Sequence, residues 1–180
     1  MINIIETNRL ILRKAKKEDL DFIYKNVWSK KELSKYMLWK VTTSKDEAII
    51  RLNKTIEFQK NHYAYFITEK EKDEPIGLIG IIEVEPNIYE DCGLCISQQY
   101  QNKGYAKEVI NCIKKLVFET LKGDKFIYSC FSENEPSKHV CLQQGFKYYK
   151  SIPKVRDYDN YSYICNLYYI DKEMFYKENW

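Results

Sequence analysis

The spacing of apolar and polar positions changes several times along the chain, and each change marks an element. Leu10, Ile11, Leu12 and Arg13 read as a short first strand. Over residues 18–28, Leu20, Ile23, Tyr24 and Val27 recur at helical spacing. Residues 30–41 keep no clean period; Leu33, Tyr36, Met37, Leu38 and Trp39 form an apolar, aromatic patch. Ser44 followed by Glu47 resembles a capping box. The helix it opens is expected over residues 46–59, with Ile49, Leu52, Ile56 and Phe58 on or near the buried side. The pattern then turns extended, with strands expected over 62–69, 76–84 and 89–97. A charged turn at 70–75 and the pair Pro86-Asn87 separate them, and the short links favour an antiparallel meander. Gly93, inside the third of these strands, marks a bulge or a close backbone approach.

The second half of the chain returns to helical spacing. Over 105–121, Ala106, Val109, Ile110, Ile113, Leu116, Val117 and Leu121 form the strongest stripe in the sequence, and Gly123 is the expected stop. A strand over 125–131 points Phe126, Tyr128 and Cys130 one way and Ile127, Ser129 and Phe131 the other. A short helix over 134–144 tolerates Pro136 in its first turn. Gly145-Phe146 opens another extended stretch, 156–160 is a polar loop, and 161–170 is a last strand. This order predicts an α/β protein with one continuous core, a single domain over residues 1–180.

Composition acts mainly by exclusion. At 44% hydrophobic and 31% charged, with six glycines and four prolines in 180 residues, the chain is neither collagen-like nor disordered. Twenty-nine basic against 26 acidic residues gives +3, too even a balance for a nucleic-acid footprint. No apolar run is long enough to cross a membrane, and the start, with Glu6, Asn8 and Arg9, lacks a signal-peptide stretch. A cytoplasmic protein is expected. The six cysteines, Cys92, Cys95, Cys112, Cys130, Cys141 and Cys165, read as buried or half-buried free thiols. Cys92-x-x-Cys95 has no second tight pair, and His62 and His139 are remote, so no metal site is expected.

Three segments carry chemistry. Residues 97–106 link a strand to the best helix, with Gln101, Gly104 and Ala106 at the turn. The free N–H groups of a helix start suit a phosphate; Gly104 permits close approach, Ala106 avoids bulk, and Lys103 adds charge at the rim. An ordinary helix start is the plainer alternative. Asp91, just before Gly93, could orient or deprotonate a nucleophile, or could be a solvated carboxylate at a strand end. Asn134 could cap the next helix, and Ser137 in its first turn could donate to a sulfur or oxyanion. Cys141, one turn beyond, is expected to pack.

Together, Gln101-Asn102-Lys103-Gly104-Tyr105-Ala106, Asn134-Glu135-Pro136-Ser137 and Gln144-Gly145-Phe146 resemble the GCN5-related N-acetyltransferase (GNAT) superfamily. Thr7-Asn8-Arg9-Leu10-Ile11-Leu12-Arg13 looks like the first strand of its RimJ/RimL-like branch, which acts on ribosomal-protein N-termini and on small amines. The resemblance implies a mixed, largely antiparallel central sheet with splayed middle strands and helices on both faces. It implies acetyl-coenzyme A as cosubstrate, without a metal. Gln101, Asn102, Lys103, Gly104, Tyr105 and Ala106 would hold the pyrophosphate, and the backbone of Leu94, Cys95 and Ile96 would run beside the pantetheine. Asn134 would bond the pantetheine arm, and Ser137 would lie near the thioester sulfur. Asp91 stands where the family often has Glu, and Cys141 where many members carry a leaving-group tyrosine; Tyr100 or Tyr148 could be nearby.

The implied reaction is direct acetyl transfer to a primary amine of a small molecule or a protein N-terminus. Asp91 or solvent would be the base, and a backbone N–H at Leu94 or Cys95 would meet the oxyanion. The acceptor side is expected from residues 28–41 and 154–161, where Glu32, Asp157 and Asp159 could attract a cation. An inactive acetyl-coenzyme A-binding sensor is the alternative. Exposed aromatics are compatible with a homodimer.

Overall fold

A computed structural model describes residues 2–178; Met1 and residues 179–180, at the limits of the expected domain, lie outside the described residues. The chain divides into two compact units. The first holds the residues up to Ile81 together with Cys92–Tyr105; the second holds Ile82–Asp91 and everything from Ala106 onward.

In the first unit, β1 (Ile4–Glu6), β2 (Leu10–Arg13), β3 (Tyr63–Glu69) and β4 (Pro75–Glu85) pair in that order, each antiparallel to the next. Leu10 and Leu12 alternate into the core as a half-buried strand requires. Arg13 is buried on the same strand and forks onto both carboxylate oxygens of Asp19, at 2.8 and 2.7 Å. After β2 the chain forms a 3-10 turn (Lys17–Asp19), α1 (Leu20–Ile23) and a π-helical turn (Tyr24–Trp28), which bury Ile23, Val27 and Trp28. The patch over 30–41 condenses into one short helix, α2 (Lys31–Ser34), followed by irregular chain.

The helix predicted over 46–59 is α3 (Lys45–Lys60), and the Ser44 hydroxyl accepts the Glu47 N–H as the capping pattern requires. Its buried side differs from the prediction. Ala48, Leu52 and Gln59 are buried, whereas Ile49 and Phe58 are exposed. Gln59 takes an inward position because its side-chain oxygen accepts the Ala15 N–H at 2.6 Å; Phe58 stacks instead on His62. Trp28, Val27, Ala48, Leu52, Phe66 and Cys95 share one core cluster.

The second unit carries the end of β4, then β5 (Ile88–Asp91), β7 (Lys125–Phe131), β9 (Tyr161–Asp171) and β8 (Lys147–Arg156), in the order β4-β5-β7-β9-β8. Pairing of β5 with β7 is parallel and runs from Ile88–Lys125 to Glu90–Ile127; β7 with β9 and β8 with β9 are antiparallel. The main stripe forms α4 (Tyr105–Lys115) and a π-helical turn (Leu116–Thr120), which bury Val109, Ile110, Ile113, Leu116, Val117 and Phe118. The stop at Gly123 works differently from the expectation: Lys122 takes the left-handed conformation (φ 59°). Gly123 is needed for closeness, since a Cβ there would sit 2.8 Å from Val117 Cγ1 and 3.0 Å from the Tyr89 ring. α5 (Glu135–Gln143) falls where predicted. β1 and the closing helix α6 (Lys172–Glu178) were not predicted.

The result is a mixed α/β fold of nine strands among the described residues, almost all antiparallel. No described helix is long and apolar enough to cross a membrane.

Candidate functional site

The extended segment expected over 89–97 is broken in the middle, and the break is a bulge. β6 (Cys95–Ile96) pairs antiparallel with β4, Ile96 opposite Gly77 and Cys95 opposite Leu78. The Cys92 N–H then donates to the Gly80 carbonyl at 2.8 Å. Between these fixed points β4 advances from Leu78 to Gly80 while its partner retreats from Cys95 to Cys92, one residue more. Gly93 absorbs that residue at φ 99°. Gly77 is required here by contact: a Cβ would lie 2.3 Å from the Cys95 carbonyl oxygen.

Beyond β6 the chain makes a 3-10 turn (Gln98–Tyr100) and a tight loop into α4. Asn102 (φ 60°) and Gly104 (φ 81°) are both left-handed, and Gln101, Asn102, Lys103 and Gly104 are all exposed while Tyr105 is buried. The loop is braced from three sides. Gln101 Nε2 donates to the Ile96 carbonyl (2.8 Å), Arg9 Nη1 donates to the Lys103 carbonyl (2.9 Å), and the Tyr105 hydroxyl donates to Glu69 (2.5 Å). The Arg9 guanidinium also lies over the Tyr105 ring at 4.6 Å, and a Cβ on Gly104 would stand 3.4 Å from Arg9 Nη2. The first turn of α4 therefore opens from an exposed, preformed backbone bend whose leading N–H groups have no partner within the helix ladder. Arg9 is a brace that sequence reasoning missed. It stands in the first-strand motif, but nothing in that motif says its side chain reaches residue 103.

In the second unit, Asp91 ends β5. It is only 5% exposed, which removes the solvated strand-end carboxylate from the two alternatives. One carboxylate oxygen accepts both the Ser129 N–H (2.6 Å) and the Ser129 hydroxyl (3.1 Å). The β5–β7 ladder has stopped one residue earlier, so the carboxylate takes over an N–H that a strand carbonyl would otherwise accept. Asn134 caps α5: its side-chain oxygen accepts the Ser137 N–H at 3.2 Å. The Ser137 hydroxyl shares a 2.9 Å hydrogen bond with the Tyr128 hydroxyl. Burial, reinforced by the charge of Asp91, pushes the Tyr128 phenol far above its ordinary range, so it stays protonated. Tyr128 is thus a second group the sequence reading did not single out for the site; its alternation toward the α5 side of β7 was the available signal.

Cys141 packs, fully buried, one turn beyond Ser137. Burial pushes the Cys95 and Cys130 thiols up to about 12 and the Cys112 thiol up to about 11. Cys92 departs from the expectation of buried or half-buried thiols: it is exposed at the bulge. Among acceptor-side carboxylates, Asp159 is held bidentate by Arg156 at 3.0 and 2.6 Å, which removes it as a free attractor of cations. Tyr148 is exposed and bonded to Ser151, and Lys103 lies over the Tyr100 ring. No group of three side chains suited to a metal occurs among the described residues.

A single, broad family match covers these features. The family model for the acetyltransferase (GNAT) domain matches residues 9–147, from the arginine brace through the Asn134–Ser137 cap to Gly145-Phe146. An uncharacterized N-acetyltransferase of Bacillus subtilis, YnaD, is 28% identical over 165 residues, covering 88% of this chain and 94% of the relative. A GNAT-family acetyltransferase from Bacillus anthracis superposes with a TM-score of 0.82 at 24% identity, over 94% of this chain and 99% of the other. The Microcin C7 self-immunity acetyltransferase MccE, solved with acetyl-CoA and AMP, does so at 0.79 and 19% identity, over 91% and 93%. With a domain match over most of its length and the matching fold, this chain belongs to the GNAT acetyltransferase family.

Proposed function

We propose that the protein is an N-acetyltransferase of the RimJ/RimL-like branch that moves an acetyl group from acetyl-coenzyme A to a primary amine of a small molecule or a protein N-terminus. The observation that carries this reading is the exposed bend at Asn102 and Gly104, braced by Gln101 and Arg9 and opening directly into α4. Left-handed residues leading into a helix aim successive N–H groups at one point, and a diphosphate satisfies several of them while gaining from the helix dipole. MccE, a structural neighbour, holds acetyl-CoA, which supports the choice of donor. In this reading one domain spans residues 1–180 and works in the cytoplasm.

When bound, acetyl-coenzyme A supplies an activated acetyl thioester; the chain's residues do the rest. The backbone of Gln101, Asn102, Lys103, Gly104, Tyr105 and Ala106 takes the pyrophosphate. Leu94, Cys95 and Ile96 line the pantetheine, with the Ile96 carbonyl sharing its acceptor capacity with Gln101. Asn134 keeps its amide nitrogen for the pantetheine arm, because the cap uses only its oxygen. Asp91 receives the amine proton directly or through water. As the N–C bond formed and the C–S bond broke, the Leu94 or Cys95 N–H would meet the charge on the carbonyl oxygen, and the Ser137 hydroxyl, bonded to that of Tyr128, would donate a hydrogen bond to the departing thiolate sulfur while keeping its proton. Holding the reactants in register supplies much of the rate.

The test is consumption of acetyl-coenzyme A across a panel of amines and peptides, with mass spectrometry of the products. An acetylated amine, with free coenzyme A formed in equal amount, is the expected result. Saturable binding with no acetylated product from any panel member would overturn the transfer reading.

A further inference from the structure

The first unit contains a cluster of hydrogen-bond donors that lacks acceptors. Arg51, on α3, lies with its guanidinium carbon 4.5 Å from the centre of the Trp28 ring and 4.5 Å from that of Trp39. Its one hydrogen bond runs from Nη1 to the Thr42 hydroxyl at 3.1 Å, and it has no carboxylate partner among the described residues. Burial lowers its pKa to about 10, which still leaves it charged at neutral pH. Thr42 is itself buried, and its N–H donates to the Trp28 carbonyl, so the irregular chain after α2 is pinned across the cation.

The two indoles add the second, independent observation. Trp28 is 1% exposed, and its Nε1–H has no partner; the Nε1–H of Trp39 is likewise buried without one. An unmatched buried donor costs about 1–3 kcal/mol, so two of them around one cation are a costly way to pack a core. The Nε and Nη2 groups of Arg51 make no protein hydrogen bond, yet they are absent from the buried unmatched atoms and so keep contact with solvent. The guanidinium and the two indole N–H groups are all donors, and the Thr42 hydroxyl is already occupied by Arg51. Such an arrangement is complementary to an anion with several lone pairs. Cys95 belongs to the same core cluster as Trp28, against which Trp39 packs, and its burial-raised thiol stays neutral, so it supplies no competing negative charge.

We infer that Arg51, with the indole N–H groups of Trp28 and Trp39, binds a carboxylate carried by the acceptor, so that the substrate is an amine that also bears an acid, as a free amino acid does. This rests on the acetyl-transfer reading, in which the amine reacts beside the Leu94–Cys95 backbone; it names the class of acceptor that the reading leaves open. A polyamine, with no anionic group, would leave the cluster unmatched.

The donors can be watched directly. In a ¹⁵N-labelled protein the indole N–H resonances of Trp28 and Trp39, assigned with Trp28→Phe and Trp39→Phe, are titrated with the twenty free amino acids and then with their carboxamides. Coenzyme A is present throughout, and its own binding is measured first by calorimetry. At least one free amino acid is expected to shift both indole signals saturably, while its carboxamide binds roughly 10- to 100-fold more weakly, the range for losing a charge-assisted hydrogen bond. Arg51→Met should abolish that difference with coenzyme A affinity unchanged, and Arg51→Lys should restore part of it. Acetyl transfer should follow the same order of acceptors. The proposal falls if no amino acid moves either indole, if carboxamides bind as well as acids, or if coenzyme A alone moves both signals, which would make the donors part of the cofactor site. Absence of coenzyme A binding would strike the acetyl-transfer reading instead, and the calorimetry reads that separately.

Discussion

The structural role of Asp91 and the chemical role proposed for it are separable, and a pair of substitutions divides them. Its buried carboxylate accepts two bonds from Ser129 where the β5–β7 ladder ends. Asp91→Ala removes both bonds and leaves the Ser129 N–H without that acceptor. A hydrogen bond to a charged group contributes roughly 1.5–3 kcal/mol and an orphaned donor costs about 1–3 kcal/mol, against which the desolvation of the carboxylate is recovered. A net loss of about 2–4 kcal/mol follows, a fall in Tm of roughly 5–15 °C for a chain of this size. Asp91→Asn keeps an oxygen for the Ser129 N–H and loses only the charge, so about 1 kcal/mol and a few degrees are expected. The assay pairs thermal melts with steady-state kinetics on whichever acceptor the panel identifies. If Asp91 is the base, Asp91→Asn lowers kcat by about 10²–10⁴ while the affinity for acetyl-coenzyme A holds. Equal melting of wild type and Asp91→Ala would refute the structural reasoning. A kcat within about threefold of wild type in Asp91→Asn would remove Asp91 as the base and leave that role to water.

Other outcomes follow from single contacts. Gly77→Ala would drive a Cβ to 2.3 Å from the Cys95 carbonyl oxygen, so β6 must shift; acetyl-coenzyme A affinity should drop at least tenfold, about 1.4 kcal/mol, and calorimetry reads it. Ser137→Ala leaves the Asn134 cap intact, since that bond uses the Ser137 N–H, but removes the partner of the buried Tyr128 hydroxyl; it should reduce kcat about tenfold or more and cost about 1–3 kcal/mol, a Tm fall of several degrees, with little change in cosubstrate affinity. Asn134→Ala removes the cap oxygen and should cost about 1 kcal/mol in a denaturant melt. Thiol labelling at pH 8 should modify Cys92 alone in the folded protein. The Cys95 and Cys130 thiols, raised to about 12, and the Cys112 thiol, raised to about 11, remain protonated there, and raising the pH toward 11 should bring Cys112 into reaction first.

The parts legible in the sequence are those whose signal is local. The stripe from Val109 to Val117 faces a core whichever strands supply it, and the pairs Ser44–Glu47 and Asn134–Ser137 form caps within their own turns. Gly93 signalled a bulge or a close backbone approach, and the bulge is what formed, because no other residue takes φ 99° so cheaply. What stayed hidden depends on distant partners. Ile49 and Phe58 looked inward by hydrophobicity, but the facing surface offers the Ala15 N–H, and a glutamine serves that better. The sequence left Asp91 open between a functional and a solvated carboxylate because Ser129, its partner, is 38 residues away. Arg9 reaches across 94 residues to Lys103, and Arg51 is enclosed by Trp28 and Trp39, of which the sequence places only Trp39 in a general apolar patch. β1 and α6 are short, and pairing or packing rather than periodicity defines them.

Calorimetric titration of the protein with acetyl-coenzyme A, alongside S-acetylpantetheine, is the most direct measurement of whether the bend at residues 101–106 receives a diphosphate. Saturable one-site binding, displaced by coenzyme A and weakened at least a hundredfold when the nucleotide and its phosphates are missing, is the predicted result. No saturable heat with acetyl-coenzyme A, or equal affinity for the phosphate-free fragment, would contradict it.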